Sequence, residues 1–249
     1  EAPVTSDAEQ DEPELDLAGI TVVLDTNVLD QTGLLKDPLS VAMLFYLRHV
    51  DGHLVLPEII RIEWFEHWQD HFAKKVQTFE DHRAWLERYV GELSVETIDA
   101  KMASAISFEA RLTELGDLLI EEPIENHDWR EAGEMVLHKR APSTAGSQQF
   151  KDSLLWRALL RLGRANPLIF ASNDKGFSDG SSSSLEASLA EEAIQEGAYI
   201  RLVPGRKELL ELLQAHPHEF TESIEGMTEE IETSFIDAVN VILESEGWR

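Results

Sequence analysis

Four acidic residues of this 249-residue chain stand where predicted strands end or where the next helix begins. They are Asp25 after ITVVL, Glu63 after HLVLP, Asp152 at the start of KDSLLWRALLRLGR and Asp174 at the end of PLIFASND. With right-handed connections in a parallel sheet, all four belong to one edge of that sheet. Carboxylates that converge there repel one another, and a divalent cation relieves the repulsion. Because the chain has no cysteine, oxygen ligands favour Mg²⁺ or Mn²⁺.

Each of the four acids also has an ordinary structural interpretation. Asp25 and Asp152 could serve only as helix N-caps, Asp174 could close an Asx turn, and Glu63 could be a solvated helix residue. Taken singly, Glu63 and Asp152 favour that interpretation. Two apolar strands that both lead into an Asp are harder to explain by turns alone, which favours a shared site.

Two asparagines accompany the acids. Asn27 follows Asp25 by two residues, and Asn173 directly precedes Asp174. Their amide groups can orient carboxylates or water around a bound cation. We therefore expect both to support the site.

Short apolar segments alternate with amphipathic ones, which is typical of strands and helices in an α/β protein. The predicted strands are ITVVL (20–24), HLVLP (53–57), DLLIEEP (117–123), PLIFASND (167–174) and AYIRLVP (198–204). Helices are predicted over 38–50, from Glu58 to Gly91, from a cap at Ser94 or Thr97 to about Leu115, over 128–139 and 151–164, up to Gly197, and over 205–216. This alternation predicts a parallel sheet with helices on both faces.

The net charge of −27 argues at first against a polyanionic ligand, but the charge is unevenly distributed. Residues 1–18 carry seven acids and no Lys or Arg, which predicts a disordered acidic tail. Residues 219–249 carry nine acids and one Arg, in a pattern that predicts an acidic amphipathic helix. The region between the two acidic ends is therefore much closer to neutral.

A basic window over residues 136–164 contains six Lys or Arg and a single acid, Asp152. The members closest to that acid are His138, Lys139, Arg140 and Lys151. The usual interpretation of such a window is a solvated helix face, and these four would bind phosphate oxygens of a substrate if the window lies beside an acidic site that takes a nucleic acid. Arg157 and Arg161 share one helix face. They could bind the same substrate as the residues above or form ion pairs with surface acids, and the sequence favours neither role.

The segments LDTNV, LVLPEIIRIEW, FKDSLLWRALL and IFASNDKGF, in this order, resemble the PIN-domain ribonucleases over roughly residues 20–204. The resemblance is greatest to the larger bacterial PIN-like type with a helical insert. It implies a three-layer α/β/α sandwich with a central, mostly parallel five-stranded sheet. It also implies a nuclease domain at 19–218 with the insert at about 64–135. Ala-Ser replaces a common Val-Thr before Asn173, and Ser153 replaces a common Ala.

The resemblance implies a cytoplasmic, metal-dependent endoribonuclease that hydrolyses phosphodiester bonds of single-stranded RNA. Asp25, Glu63, Asp152 and Asp174 would be both the catalytic residues and the ligands of one or two Mg²⁺ or Mn²⁺ ions. DNA as a substrate is not excluded, since the chemistry does not sense the 2′-hydroxyl. The resemblance is also compatible with an inhibitory protein partner and with self-association. No apolar run reaches the length of a membrane span.

Two other functional classes fit part of the pattern. A phosphatase of the haloacid-dehalogenase type would use Lys151 and the acidic pair Asp174 and Asp179, so Asp179 is kept as a supporting residue. Such an enzyme needs a second Asp where this chain has Asn27, and an amide cannot be a general acid and base. The second class is a PIN-like module that binds RNA or protein without cleavage, against which the presence of all four acids argues.

Two further patterns have ordinary explanations that we favour. His67 and His71 are four residues apart on a helix and could bind zinc, but no third ligand is evident. Trp64, Trp68 and Trp85 could stack on bases, but aromatic residues at helical spacing more often belong to the core.

Overall fold

The computed structural model describes residues 19–93, 98–143, 149–180 and 183–215. Contact density separates the unit Glu1–Leu213 from the unit Gln214–Arg249. The predicted acidic tail, the predicted acidic C-terminal helix and the predicted caps Ser94 and Thr97 lie outside the described residues.

A five-stranded sheet lies at the centre of the molecule, and every pair of neighbouring strands is parallel. The strands are β1 (Thr21–Leu24), β2 (His53–Pro57), β3 (Leu119–Glu122), β4 (Leu168–Ala171) and β5 (Ile200–Val203), in the order β3-β2-β1-β4-β5. The two central strands β1 and β4 are buried along their whole length, as their continuous apolar sequences predict. The predicted five-stranded sheet is therefore confirmed.

Helices flank the sheet on both faces and complete the predicted α/β/α sandwich. They are α1 (Thr26–Leu29), α2 (Pro38–His49), α3 (Glu58–Val90), α4 (Ala100–Leu115), α5 (Asn126–Leu137), α6 (Phe150–Ala165), α7 (Ala187–Gln195) and α8 (Arg206–Ala215). A 3₁₀ turn, Gly116–Leu118, joins α4 to β3. None of the helices within the described ranges has both the length and the apolar character required to cross a membrane.

Helices α3 and α4 form an antiparallel hairpin beside the sheet. Trp64 packs edge to face against Phe108 with 5.0 Å between ring centroids, and Trp68 Nε1 donates a hydrogen bond to the Ser104 carbonyl one turn further along. Asp99 caps α4 by accepting a hydrogen bond from the Met102 amide at 3.0 Å. The hairpin fixes the first turns of α3 against the core.

Several predicted boundaries were wrong by a few residues. Strand β3 covers Leu119–Glu122 where 117–123 was predicted, and α5 covers Asn126–Leu137 where 128–139 was predicted. Strand β4 ends at Ala171, so Asn173 and Asp174 lie in the following turn and not in the strand. Strand β5 covers Ile200–Val203 and is shorter than the predicted segment 198–204. In β4 the reason is that the Asp174 side chain bonds to its own downstream backbone, which competes with the ladder.

Candidate active site

Asp25 and Ser172 are neighbours because β1 and β4 are paired in register. Leu24 lies opposite Ala171, so the next residue of each strand reaches the same edge of the sheet. The Ser172 hydroxyl donates a hydrogen bond to Asp25 Oδ2 at 2.5 Å. Asp25 is also the N-cap of α1 and accepts a hydrogen bond from the Thr26 amide at 2.8 Å. The capping interpretation of Asp25 is therefore correct locally, while its second oxygen is held by β4.

Asp174 lies in the turn that follows β4. Its amide donates to Ser172 Oγ at 3.0 Å, and its Oδ1 accepts a hydrogen bond from the Gly176 amide at 2.7 Å, which makes an Asx turn. A Cβ atom at Gly176 would lie only 3.2 Å from Asp174 Oδ1, so glycine keeps this turn open. Ser172 therefore connects the backbone of Asp174 to the carboxylate of Asp25.

Glu63 is placed by the helix that follows β2, the strand on the other side of β1. Its Oε2 accepts a hydrogen bond from Thr26 Oγ1 at 2.8 Å, and its Oε1 lies 3.1 Å from Lys151 Nζ. Thr26 opens α1 and Lys151 is in the first turn of α6. Glu63 is thus tied to both helices that begin at this edge.

Asp152 occupies the first turn of α6 and is partly buried. Burial is the main reason that its pKa rises to about 7, and the charges of Asp174, Asp25 and Glu63 raise it further, while Lys151 lowers it. A carboxyl group of this kind is near its midpoint of ionisation at neutral pH. The four predicted acids therefore act on one another electrostatically.

Asp25 is perturbed in the same direction. Burial raises the pKa of Asp25 to about 6, against the hydrogen bonds from Ser172 and Thr26, which lower it. The negative charges of Asp174 and Glu63 add to the increase. The acids at this edge of the sheet therefore repel one another, and a bound cation would relieve the repulsion.

Asn27 offers an oxygen without a partner at the same place. Its Nδ2 donates to Asp25 Oδ2 at 2.8 Å, while its Oδ1 is buried and makes no hydrogen bond within the described residues. Carboxylate and amide oxygens are the donor set that suits Mg²⁺ or Mn²⁺. Among the described residues, however, no three His, Asp or Glu side chains are arranged closely enough to hold one ion.

The predicted phosphate-binding residues divide into two groups. Lys151 contacts the acids through Glu63, as described above. His138, Lys139 and Arg140 are exposed at the end of α5, and the Arg140 guanidinium lies 4.0 Å from Glu192 of α7. Lys139 and Arg140 line a separate pocket with residues of α7, and within the described residues no contact joins them to the four acids.

Arg157 and Arg161 pair with acids of neighbouring helices. Arg157 is 7% exposed and forms ion pairs with Glu131 at 2.6 Å, with Glu196 at 3.0 Å and with Glu192 at 3.2 Å. Partners of Arg161 are Glu122, Glu125 and Asp128. Of the two roles considered for these arginines, the structure supports ion pairing.

Asn173 and Asp179 are both exposed, in the segment after β4. The Asp179 amide donates to the Ser184 carbonyl at 3.1 Å. Within the part of the chain that the structure describes, no hydrogen bond or ion pair joins the Asn173 side chain to the four acids.

Thr26 and Ser172 are the site residues that the sequence reasoning missed. Both have a short hydroxyl side chain one or two residues after a buried strand, beside an acid or an amide. The signal that could have found Ser172 is its position opposite Asp25 once β1 and β4 are taken as adjacent strands.

The histidine and tryptophan patterns have structural partners. His67 Nδ1 lies 2.6 Å from Asp30 Oδ2, and His71 stacks on Trp68 with 6.1 Å between ring centroids. Trp64 is 3% exposed and belongs to the core, whereas Trp85 is about half exposed and contacts Tyr89. The core interpretation is therefore confirmed for Trp64 and wrong for Trp85.

A family model described as PIN domain matches residues 22–177. The match covers more than half of the chain and includes all four acids, so the chain belongs to the PIN-domain family. Proteins of this family are typically nucleases. No curated protein and no solved structure matches the chain.

Proposed function

We propose that this protein is a metal-dependent endoribonuclease that hydrolyses phosphodiester bonds of single-stranded RNA. The observation that carries the proposal is that Asp25, Glu63, Asp152 and Asp174, from four separate elements, act on one another electrostatically, since neighbouring acids raise the pKa of Asp25 and of Asp152. Family membership supports the same class of activity. We place the protein in the cytoplasm within this proposal, since a chain without cysteine fits a reducing compartment.

Asp25 and Asp174 would bind the cation directly, and Asp152 would bind it directly or through water. Glu63 would bind a second ion or orient the attacking water, from a position fixed by Thr26 and Lys151. When bound there, Mg²⁺ or Mn²⁺ supplies a Lewis acid that polarises the phosphate and lowers the pKa of water.

The chain's own residues prepare this site in two ways. Ser172 and Asn27 both donate hydrogen bonds to Asp25 Oδ2. The Oδ1 atom of Asn27 accepts no hydrogen bond within the described residues, so it could bind a cation. Lys151 places a positive charge beside the acids, where it would hold a phosphate oxygen of the strand.

Labelled single-stranded RNA incubated with the protein and Mn²⁺ tests the proposal. We expect internal cleavage that is lost in Asp25→Asn and kept in Asp117→Asn, which changes an exposed acid near the opposite edge of the sheet. Hydrolysis of small phosphomonoesters without RNA cleavage would favour the phosphatase. RNA retention without cleavage under Mg²⁺ and Mn²⁺ would favour a binding module, and parallel reactions with DNA would measure the sugar preference.

The same preparation tests cation binding without activity. Mn²⁺ should raise the melting temperature of the wild-type protein, since a ligand that binds only the folded state stabilises it. Asp25→Asn should abolish most of this shift, and Asp117→Asn should keep it. An inhibitory protein partner and self-association stay predictions from the family resemblance.

A further inference from the structure

A pocket of about 460 Å³ opens between α3 and the segment that follows α1. Its polar walls include Gln31, His67, Asp70 and Lys74, and Trp68 supplies an aromatic surface. None of these residues belongs to the acidic cluster described above. The pocket is therefore a concave surface distinct from the acidic cluster.

The pocket adjoins the acids along two helices. Gln31 Nε2 donates to the Asn27 carbonyl at 2.8 Å, and His67 follows Glu63 by one turn of α3, about 6 Å along the helix axis. Asp30 and His67 close the gap between these helices with a contact of 2.6 Å. A strand whose phosphate lies at the acids thus has its next nucleotide within reach of the pocket.

The aromatic wall is held in a fixed orientation. Trp68 Nε1 donates to the Ser104 carbonyl at 3.1 Å and to Ser107 Oγ at 3.2 Å, both on α4. His71 lies nearly parallel to the indole, with an angle of 22° between the rings. The indole is thereby anchored by its polar edge while the ring lines the pocket.

The part of the pocket wall that follows α1, which includes Gly33 and Leu34, is also preformed. Gly33, Leu34 and Leu35 have φ angles of 53°, 62° and 59°, a left-handed conformation that is unfavourable for leucine. Arg111 of α4, which is 8% exposed, donates to the Leu34 carbonyl at 2.9 Å and to the Leu35 carbonyl at 2.7 Å. Strained backbone that is held in this way is frequent at ligand-binding sites.

We propose that this pocket binds a nucleobase of the substrate strand, one nucleotide away from the phosphate that is cleaved. The inference rests on the proposed function, since it takes the strand to be RNA. The two carboxylates of Asp30 and Asp70 disfavour a phosphate in the pocket, whereas an aromatic surface and mixed polar groups suit a neutral base. Stacking of this kind tolerates different bases, so the pocket would position the strand and read little sequence.

Binding of a fluorescent hexaribonucleotide to the full chain in EDTA, followed by anisotropy, tests this inference without cleavage. Trp68→Leu should weaken binding about tenfold, and His71→Ala should weaken it less. Trp85→Ala is the matched control, because Trp85 lies on the same helix outside the pocket and is exposed. A strand of the same length without bases should bind wild type and Trp68→Leu equally.

Equal RNA binding by wild type, Trp68→Leu and His71→Ala would overturn the inference, as would an equal loss for the strand without bases. His71→Ala decides the matter if circular dichroism shows that Trp68→Leu is unfolded, since His71 is an exposed residue. The proposed function fails separately: a wild-type protein that binds RNA through Trp68 but never cleaves it supports the pocket alone. Cleavage and binding that are both unaffected in His71→Ala and Trp68→Leu support the nuclease alone.

Discussion

The Ser172 hydroxyl donates a hydrogen bond of 2.5 Å to the Asp25 carboxylate, across the pairing of β4 with β1. The hydroxyl oxygen of Ser172 also accepts a hydrogen bond from the Asp174 amide, so this one side chain orients two of the four acids. This arrangement exists because the residue after Ala171 stands opposite the residue after Leu24. The relative positions of Asp25 and Asp174 thus depend on the register between β1 and β4.

Ser172→Ala should lower RNA cleavage about 10- to 100-fold, the usual cost of losing a residue that orients a metal ligand. The pKa of Asp25 should rise, because the hydroxyl lowers it, and the acidic limb of the pH–rate profile should move to higher pH. Cleavage rates measured from pH 5 to pH 9 check both effects. Ser172→Thr keeps the hydroxyl and should recover most of the activity. An unchanged profile in Ser172→Ala would argue against the positioning role.

Asp152→Asn should stabilise the cation-free protein at pH 8. The folded-state pKa of about 7 lies above the usual value of 3.8, so the contribution of this carboxyl to stability is complete below about pH 4 and is lost as the pH rises through 7. An increase of about 1 kcal/mol corresponds to roughly 2–4 °C in melting temperature for a domain of this size. Thermal melts in EDTA should show a larger difference at pH 8 than at pH 5.

Glu66→Gln, an exposed change on α3, serves as the control for this series and should leave the melting temperature unchanged at both values of pH. With Mn²⁺ present, the order should reverse, because the wild-type protein gains the cation and Asp152→Asn binds it less well. Stabilisation that persists undiminished at pH 5 would show that the effect does not come from ionisation of Asp152.

Lys151→Gln should weaken RNA binding and reduce the dependence of log Kd on log salt concentration by about one charge. The physical reason is that Lys151 Nζ is the cation that contacts Glu63 at this edge and offers a donor to the phosphate. Titrations at several salt concentrations in EDTA measure the slope. Lys207→Gln, on the exposed side of α8, should leave the slope as it is. Equal slopes in both variants would remove Lys151 from the substrate path.

Arg157→Met should destabilise the fold by about 3 kcal/mol, because it leaves Glu131, Glu192 and Glu196 without their shared buried partner. Urea denaturation measures the change. Arg164→Ala, which removes one exposed ion pair with Glu196, should cost less than about 1 kcal/mol. Full stability together with loss of RNA binding in Arg157→Met would instead place this residue in the substrate groove.

The order of strands and helices was predictable because each apolar strand is short, continuous and bounded by turn residues. Family membership was predictable for the same reason, since the acids that follow Leu24 and open α6 keep their places relative to the strands. The partners of Arg157 and Arg161 were not predictable, because they come from α5, α7 and the β3 region, and periodicity within α6 carries no information about them. The separation of Lys139 from the acids likewise depends on how the end of α5 packs.

Arg111 is more than seventy residues away in sequence from the loop that it holds. Among the described residues, no contact joins it to the four site acids or to the indole of Trp68. A random-mutagenesis screen for loss of cleavage will nevertheless return substitutions at this arginine. In the sequence, these substitutions lie in α4, far from the residues of the site. Their effect will come from the collapse of the left-handed segment Gly33–Leu35, and a second substitution that relaxes that segment, such as Leu34→Gly, will act as a suppressor.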